Sequence, residues 1–204
     1  GSGVTEGTVT MRRHADDLVA LLDALGVTQR VIFCGLSMGG YVGWQFALHH
    51  ADRLAALIVC DSRALADTPE AAAQRLQAAE TVRERGPESL VRAMLPKLLG
   101  PQASQELAET LREMMMATDR RGIAAALRGM AERPDVSELL PSIQVPSLVL
   151  VGDGDAISPP EEMSQIAAAL PNSSYVVIED SGHMAPMEAP DRVNQELLAF
   201  LAEV

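Results

Sequence analysis

Val31 to Cys34 form an apolar run that enters Gly35-Leu36-Ser37-Met38-Gly39, a G-x-S-x-G turn, and the chain continues as a stretch patterned like a helix. No other segment constrains the fold as much, because this pattern demands a strand, a sharp turn and a helix in that order. A serine on such a nucleophile elbow is lifted clear of the sheet, and Gly35 and Gly39 keep open the space a Cβ would fill. The helix read over about 39–50 directs its positive end and free N–H groups at any charge that develops beside Ser37. A turn that merely packed a helix on a strand would have no need of its one polar side chain at the apex.

A serine hydroxyl is a weak nucleophile at neutral pH, so it needs a base and an orienting carboxylate. The histidines are His14, His49, His50 and His183. His14 falls in the first turn of a polar-faced helix, and His49 and His50 close the helix after the elbow, where a cation favours the dipole. Capping and surface roles suit those three. His183 differs: it follows the strand-like Tyr175 to Ile178 and lies in Ser181-Gly182-His183, a loop opening past a strand end, which makes it the candidate base.

Three aspartates compete for the carboxylate. Ser147 to Val151 reads as a buried strand, followed by Gly152-Asp153-Gly154-Asp155, with Ser158 and Pro159 starting a helix as N-cap and first residue. Asp155 lies in the loop proper, whereas Asp153 is close enough to the strand end to bind backbone N–H groups in the turn. Asp61, after Leu57 to Cys60, sits at a third strand end.

With the order serine, aspartate, histidine, the chain resembles the α/β-hydrolase family. The resemblance runs through Gly35 to Gly40, through Gly152 to Pro159, a G-x-x-D-x-x-[ST]-P pattern that favours Asp155, and through Gly182-His183. It implies an α/β fold, a parallel sheet flanked by helices with an inserted all-helical cap. It also implies a serine hydrolase acting on a small, mainly apolar ester or lactone. Ser37, Asp155 and His183 would be catalytic, and the Met38 N–H would face the oxyanion. A ligand receptor on the same fold, or an inactive or split fragment, is the alternative reading.

Members of the family carry several strands before the elbow, and the loop after one of them supplies the second oxyanion donor. Here about thirty residues precede the first clear strand, and Gly1 to Thr5 is similar to the tail of the family's D-x-R-G-x-G-x-[ST] loop. The expectation is a chain that begins inside that loop; a Gly-Ser-Gly cloning scar is the competing explanation. An apolar strand left without a neighbour invites association through its edge, with another copy or with a missing N-terminal fragment.

The remaining sequence reads as alternating strands and helices broken once. A helix over 10–25 places Leu18, Leu21, Leu22 and Leu25 on one stripe, and Gly26 closes it. Strands follow at 31–35, 57–61, 147–151 and 174–179, with helices over 160–170 and 190–202. From Thr68 to about Leu140 there are only helices, punctuated by Pro69, Gly86-Pro87, Gly100-Pro101, Asp119 and Pro134. The reading is therefore core at 1–66, helical cap at 67–140, and core again at 141–204. Right-handed crossovers make the four strands parallel, so Ser37, Asp61, Asp155 and His183 share one edge of the sheet.

Composition bounds the partners. The 204 residues are 48% hydrophobic with a net charge of −12, which suits a single domain and disfavours nucleic acid or an anionic membrane. No apolar run approaches a membrane span. Cys34 and Cys60 lie inside apolar strands and read as buried small hydrophobes, so a reducing, cytoplasmic setting is expected. Neither a spaced Cys/His set nor a G-x-G-x-x-G is present, so no metal or cofactor is implied. Met114 and Met115 in the cap, with Met184 beside His183, suggest a flexible apolar substrate pocket; filling the cap's own core is the plainer role for at least two of Met114, Met115 and Met116. Arg63 is expected to pair with Asp61 or Asp67, or to be solvated.

Overall fold

The computed structural model describes residues 3–5 and 7–204; Gly1 and Ser2, where the loop-tail reading begins, lie outside them. Four strands, β1 (Val31–Leu36), β2 (Leu54–Cys60), β3 (Ser147–Gly152) and β4 (Ser173–Ile178), pair in the order β1-β2-β3-β4, every pair parallel. Cα partners run Leu36 with Cys60, Cys60 with Leu150, and Gly152 with Ile178, which aligns the four C-terminal ends.

Each crossover carries helix. α1 (Met11–Ala24) precedes β1, and Thr10 caps it by accepting from the Arg13 N–H at 3.1 Å. α2 (Met38–His49) starts directly after Ser37 and is buried nearly all round, from Gly40 to Ala47. It lies against one face of the sheet with α1 and α7 (Pro160–Ala169), in a core that includes Trp44, Phe46, Leu57, Val59, Val149 and Met163. The other face carries Ile58, Cys60, Leu148, Leu150 and Ile178 beneath α8 (Ala185–Glu188) and α9 (Pro190–Leu201), through Ala185, Val193 and Phe200. Between β2 and β3 stand only helices: α3 (Pro69–Arg85), α4 (Glu88–Leu98), α5 (Gln105–Ala117) and α6 (Arg120–Ala131). Thr68, Ser104 and Asp119 accept from first-turn N–H groups of α3, α5 and α6, so each of these breaks carries its own start signal. α3 and α6 pack together through Ala79, Val82, Ala124 and Leu127.

Several expectations change. The buried face of α1 is Met11 and Ala15, with Val19 and Leu22 packed on the same core, whereas Leu18, Leu21 and Leu25 are exposed. Two apolar stripes share this helix, and the sheet takes the one that continues from Met11. Cys60 is buried, but Cys34 is exposed. Among the described residues β1 has a strand neighbour on one side only, and Cys34 and Ile32 on its outer face are exposed. The helix after the acid loop has Pro159 as N-cap and Pro160 as first residue; Ser158 lies one position earlier and is fully buried. No helix among the described residues is long and apolar enough to cross a membrane.

Candidate active site

The aligned strand ends bring Ser37, Asp61, Asp155 and His183 to one rim, each in the loop that follows β1, β2, β3 and β4 respectively. Ser37 holds φ at 52°, a left-handed value that costs a residue with a Cβ. Its surroundings impose that value. The Ser37 N–H donates to the Cys60 carbonyl at 2.9 Å as the last rung of the ladder, and the Ser37 carbonyl accepts from the Gly40 N–H at 2.9 Å as helix begins. The Ser62 hydroxyl donates to the same carbonyl at 2.8 Å. A Cβ on Gly35 would stand 2.4 Å from the Gly39 carbonyl, so the strand can turn this tightly only with glycine there. Gly39 itself has open space where its Cβ would be; the second crowded position is Gly40, against Ser62.

The elbow points Ser37 Oγ at His183 Nε2, 2.7 Å away. His183 Nδ1 lies 2.8 Å from Asp155 Oδ2, and the imidazole is 2% exposed. The other Asp155 oxygen accepts from the Ile157 N–H at 2.7 Å and the Ser158 N–H at 3.0 Å, which leaves Oδ2 for the ring. Three side chains, 118 and 28 positions apart along the chain, therefore form one hydrogen-bonded relay. The remaining aspartates do other work. Asp153 accepts from the Ser181 N–H at 3.2 Å and ties the two loops, as its place near the strand end suggests. Asp61 is fully buried and accepts from the Gly152 N–H at 2.8 Å. Burial pushes its carboxyl up to about 8 against the pull of that N–H, with the Asp155 and Glu188 charges adding to the rise.

Met38 is the first residue of α2, directly after Ser37, so its N–H has no acceptor within the helix. Met184 adjoins His183 and is half-buried, Met115 is half-buried on α5, and Met114 is 56% exposed there. Arg63 pairs with Glu162 on α7, Nε to Oε1 at 2.8 Å and Nη2 to Oε2 at 2.8 Å, instead of with Asp61 or Asp67. Asp67 is taken by Arg75 and by the buried Arg133, at 2.7 Å from the latter. Sequence reasoning passed over Ser62 and Glu188, whose side chains bind main-chain groups of the site loops, while Ser158, read there as a helix cap, instead holds its hydroxyl 3.5 Å from His183 Nδ1. Only Ser62, directly after a strand-end aspartate, carried a positional hint.

The comparisons with known proteins bear on the fold and the family. Residues 2–190 match the alpha/beta hydrolase fold family. The chain is 29% identical over 203 residues to 3-oxoadipate enol-lactonase 2 of Acinetobacter baylyi, spanning 98% of this chain and 74% of that protein. Among solved structures, a malate-bound thermophilic esterase from Thermogutta terrifontis superposes with a TM-score of 0.97 at 47% identity, over 98% of this chain and 75% of the other. The enol-lactonase from Burkholderia xenovorans LB400 gives a TM-score of 0.88 at 29% identity, over 97% and 75%. Strand order, elbow and family match converge, and the chain belongs to the α/β-hydrolase family.

Proposed function

We infer that this hydrolase cleaves a small, mainly apolar carboxylic ester or lactone through an acyl-enzyme on Ser37. Ser37 Oγ attacks the carbonyl carbon while His183 Nε2 takes its proton; the same imidazole then returns the proton to the leaving oxygen. Water repeats the sequence on the acyl-enzyme and frees Ser37. Asp155 holds the ring in the tautomer that carries hydrogen on Nδ1 and steadies the imidazolium that forms. The Met38 N–H, with the positive end of α2 behind it, steadies the oxyanion, and such a donor is typically worth on the order of a hundredfold in turnover. The observation that carries the reading is the 2.7 Å approach of the elbow serine to a buried, carboxylate-bound imidazole.

Its relatives support the substrate class: one is named as an esterase and two as enol-lactonases. Met115 and Met184, both half-buried, and Met114 supply the flexible apolar lining in this reading. The outer edge of β1 has no strand paired to it among the described residues, which supports association through that edge with another strand, from a second copy or from a further N-terminal fragment. The unpaired thiols of Cys34 and Cys60 fit a reducing, cytoplasmic setting. A fluorophosphonate probe tests the mechanism: rapid labelling of the wild type that disappears in Ser37→Ala is expected. Labelling that persists in Ser37→Ala, or a wild type that takes no label, refutes it.

A further inference from the structure

Glu188 ends the short helix α8, five positions after His183, and its carboxylate gathers three backbone N–H groups from two distant parts of the chain. Oε1 accepts from Gly182 at 2.9 Å and from Met184 at 3.2 Å, the residues on either side of His183. Oε2 accepts from Gly100 at 2.6 Å, in the turn between α4 and α5. The two turns also touch directly. A Cβ on Gly182 would stand 2.4 Å from the Gly100 nitrogen, and one on Gly100 would stand 2.9 Å from the Gly182 nitrogen. No side chain fits the seam, and the carboxylate closes over it with charge-assisted hydrogen bonds, which are stronger than neutral ones.

We propose that Glu188 is a positioning residue: it fixes the main chain on both sides of His183 and fastens the Leu99–Gly100 turn of the helical insertion to it, so that insertion and base move together. The inference rests on His183 being the base. That imidazole must meet Ser37 Oγ at 2.7 Å and Asp155 Oδ2 at 2.8 Å at once, and the peptide planes next to it set its aim. Glycine at 182 leaves one of those planes free to swing unless something holds it. Glu188 holds both planes, and through Gly100 it makes their placement depend on where the insertion sits.

Glu188→Gln keeps the size of the side chain but offers one acceptor oxygen and one amide donor, so it serves Gly100 or the Gly182 and Met184 pair, not both. Gly100→Ala leaves the carboxylate intact and forces the seam apart. Two quantities are measured on the full chain: amide hydrogen exchange at Gly100, Gly182 and Met184 by NMR, and fluorophosphonate labelling of Ser37, resolved into probe affinity and maximal rate. Because the proposal makes the two turns one unit, losing the acceptor on either side should loosen both: in Glu188→Gln the three amides are expected to exchange together at least about tenfold faster, and the maximal labelling rate to fall about tenfold, with probe affinity within about twofold of wild type. Gly100→Ala should reproduce the rate loss, and the double variant should be no slower than the worse single one, because both remove one shared contact. Faster exchange with an unchanged labelling rate overturns the positioning role. Faster exchange at Gly182 and Met184 alone, or additive losses in the double variant, overturns the link to the insertion. A wild type that takes no label refutes the serine-hydrolase reading instead, and the three amides in Glu188→Gln then decide by themselves whether the carboxylate joins the two turns.

Discussion

Replacing Asp61 by Asn should change how the stability of this protein depends on pH, and by a calculable amount. Asp61 is fully buried at the end of β2; one carboxyl oxygen takes the Gly152 N–H and the other, Oδ2, makes no hydrogen bond. Burial raises its pKa to about 8 in the folded chain. In the unfolded chain an aspartate titrates near 4. The folded state therefore keeps a proton that the unfolded state releases, so stability is greatest below about pH 4 and falls as pH rises toward about 8, then levels off. The slope is about 1.4 kcal/mol per pH unit, or about 4 kcal/mol between pH 5 and 8. An asparagine has no proton to lose and removes this slope, while its own hydrogen-bonding cost is the same at every pH. Urea denaturation followed by fluorescence of Trp44, the one tryptophan and a buried one, gives both curves. Relative to wild type, Asp61→Asn should gain about 4 kcal/mol from pH 5 to pH 8. Parallel curves would show that the carboxyl is already ionised in the fold, and the argument from burial would be wrong.

Other positions give sharper yes-or-no outcomes. Gly35→Ala places a Cβ 2.4 Å from the Gly39 main chain and should cost about 1–3 kcal/mol in urea denaturation as well as slowing Ser37 labelling, whereas Gly39→Ala, with open space, should leave the elbow intact. Asp67→Ala strands the buried Arg133, whose Nη2 already lacks a partner, and should lower stability by about 3–5 kcal/mol; a loss below about 1 kcal/mol contradicts that burial. Iodoacetamide should alkylate Cys34 in the folded protein and spare Cys60 until denaturant is added, as peptide mass mapping will show. Size-exclusion chromatography over a range of dilutions should reveal association through β1; a sharp monomer at every concentration argues against a sticky edge.

What the sequence discloses here follows from how local each signal is. The elbow is legible because strand, glycine, serine and helix are consecutive, and the helix starts after 68, 104 and 119 because each cap lies within three residues of the N–H it accepts from. His183 and the strand-end aspartates are visible as loop residues after apolar runs. Asp155 was set apart from Asp153 and Asp61 by its place in the loop proper and by the family pattern, since all three lie at strand ends and each accepts a main-chain N–H. Glu188 stayed hidden because its partners are backbone groups, which leave no trace in side-chain patterning. Arg63 was assigned to nearby acids, yet its partner Glu162 is 99 positions away and adjacent only once α7 packs. Cys34 reads as a buried strand residue from its apolar neighbours, although the missing neighbour expected for that strand already pointed to exposure.

The sheet runs without interruption from β2 to β3, Leu57 beside Ser147, although a long, mainly helical segment, 61–146, intervenes between those strands. Such an arrangement lets the intervening block be exchanged for one of another shape without disturbing the ladder beneath it. A donor segment grafted in its place would inherit the whole reactive rim, provided it brings a glycine corner that can lie flat against Gly182. Chimeras built on that rule would vary which molecules are admitted while leaving the bond-breaking apparatus as it stands.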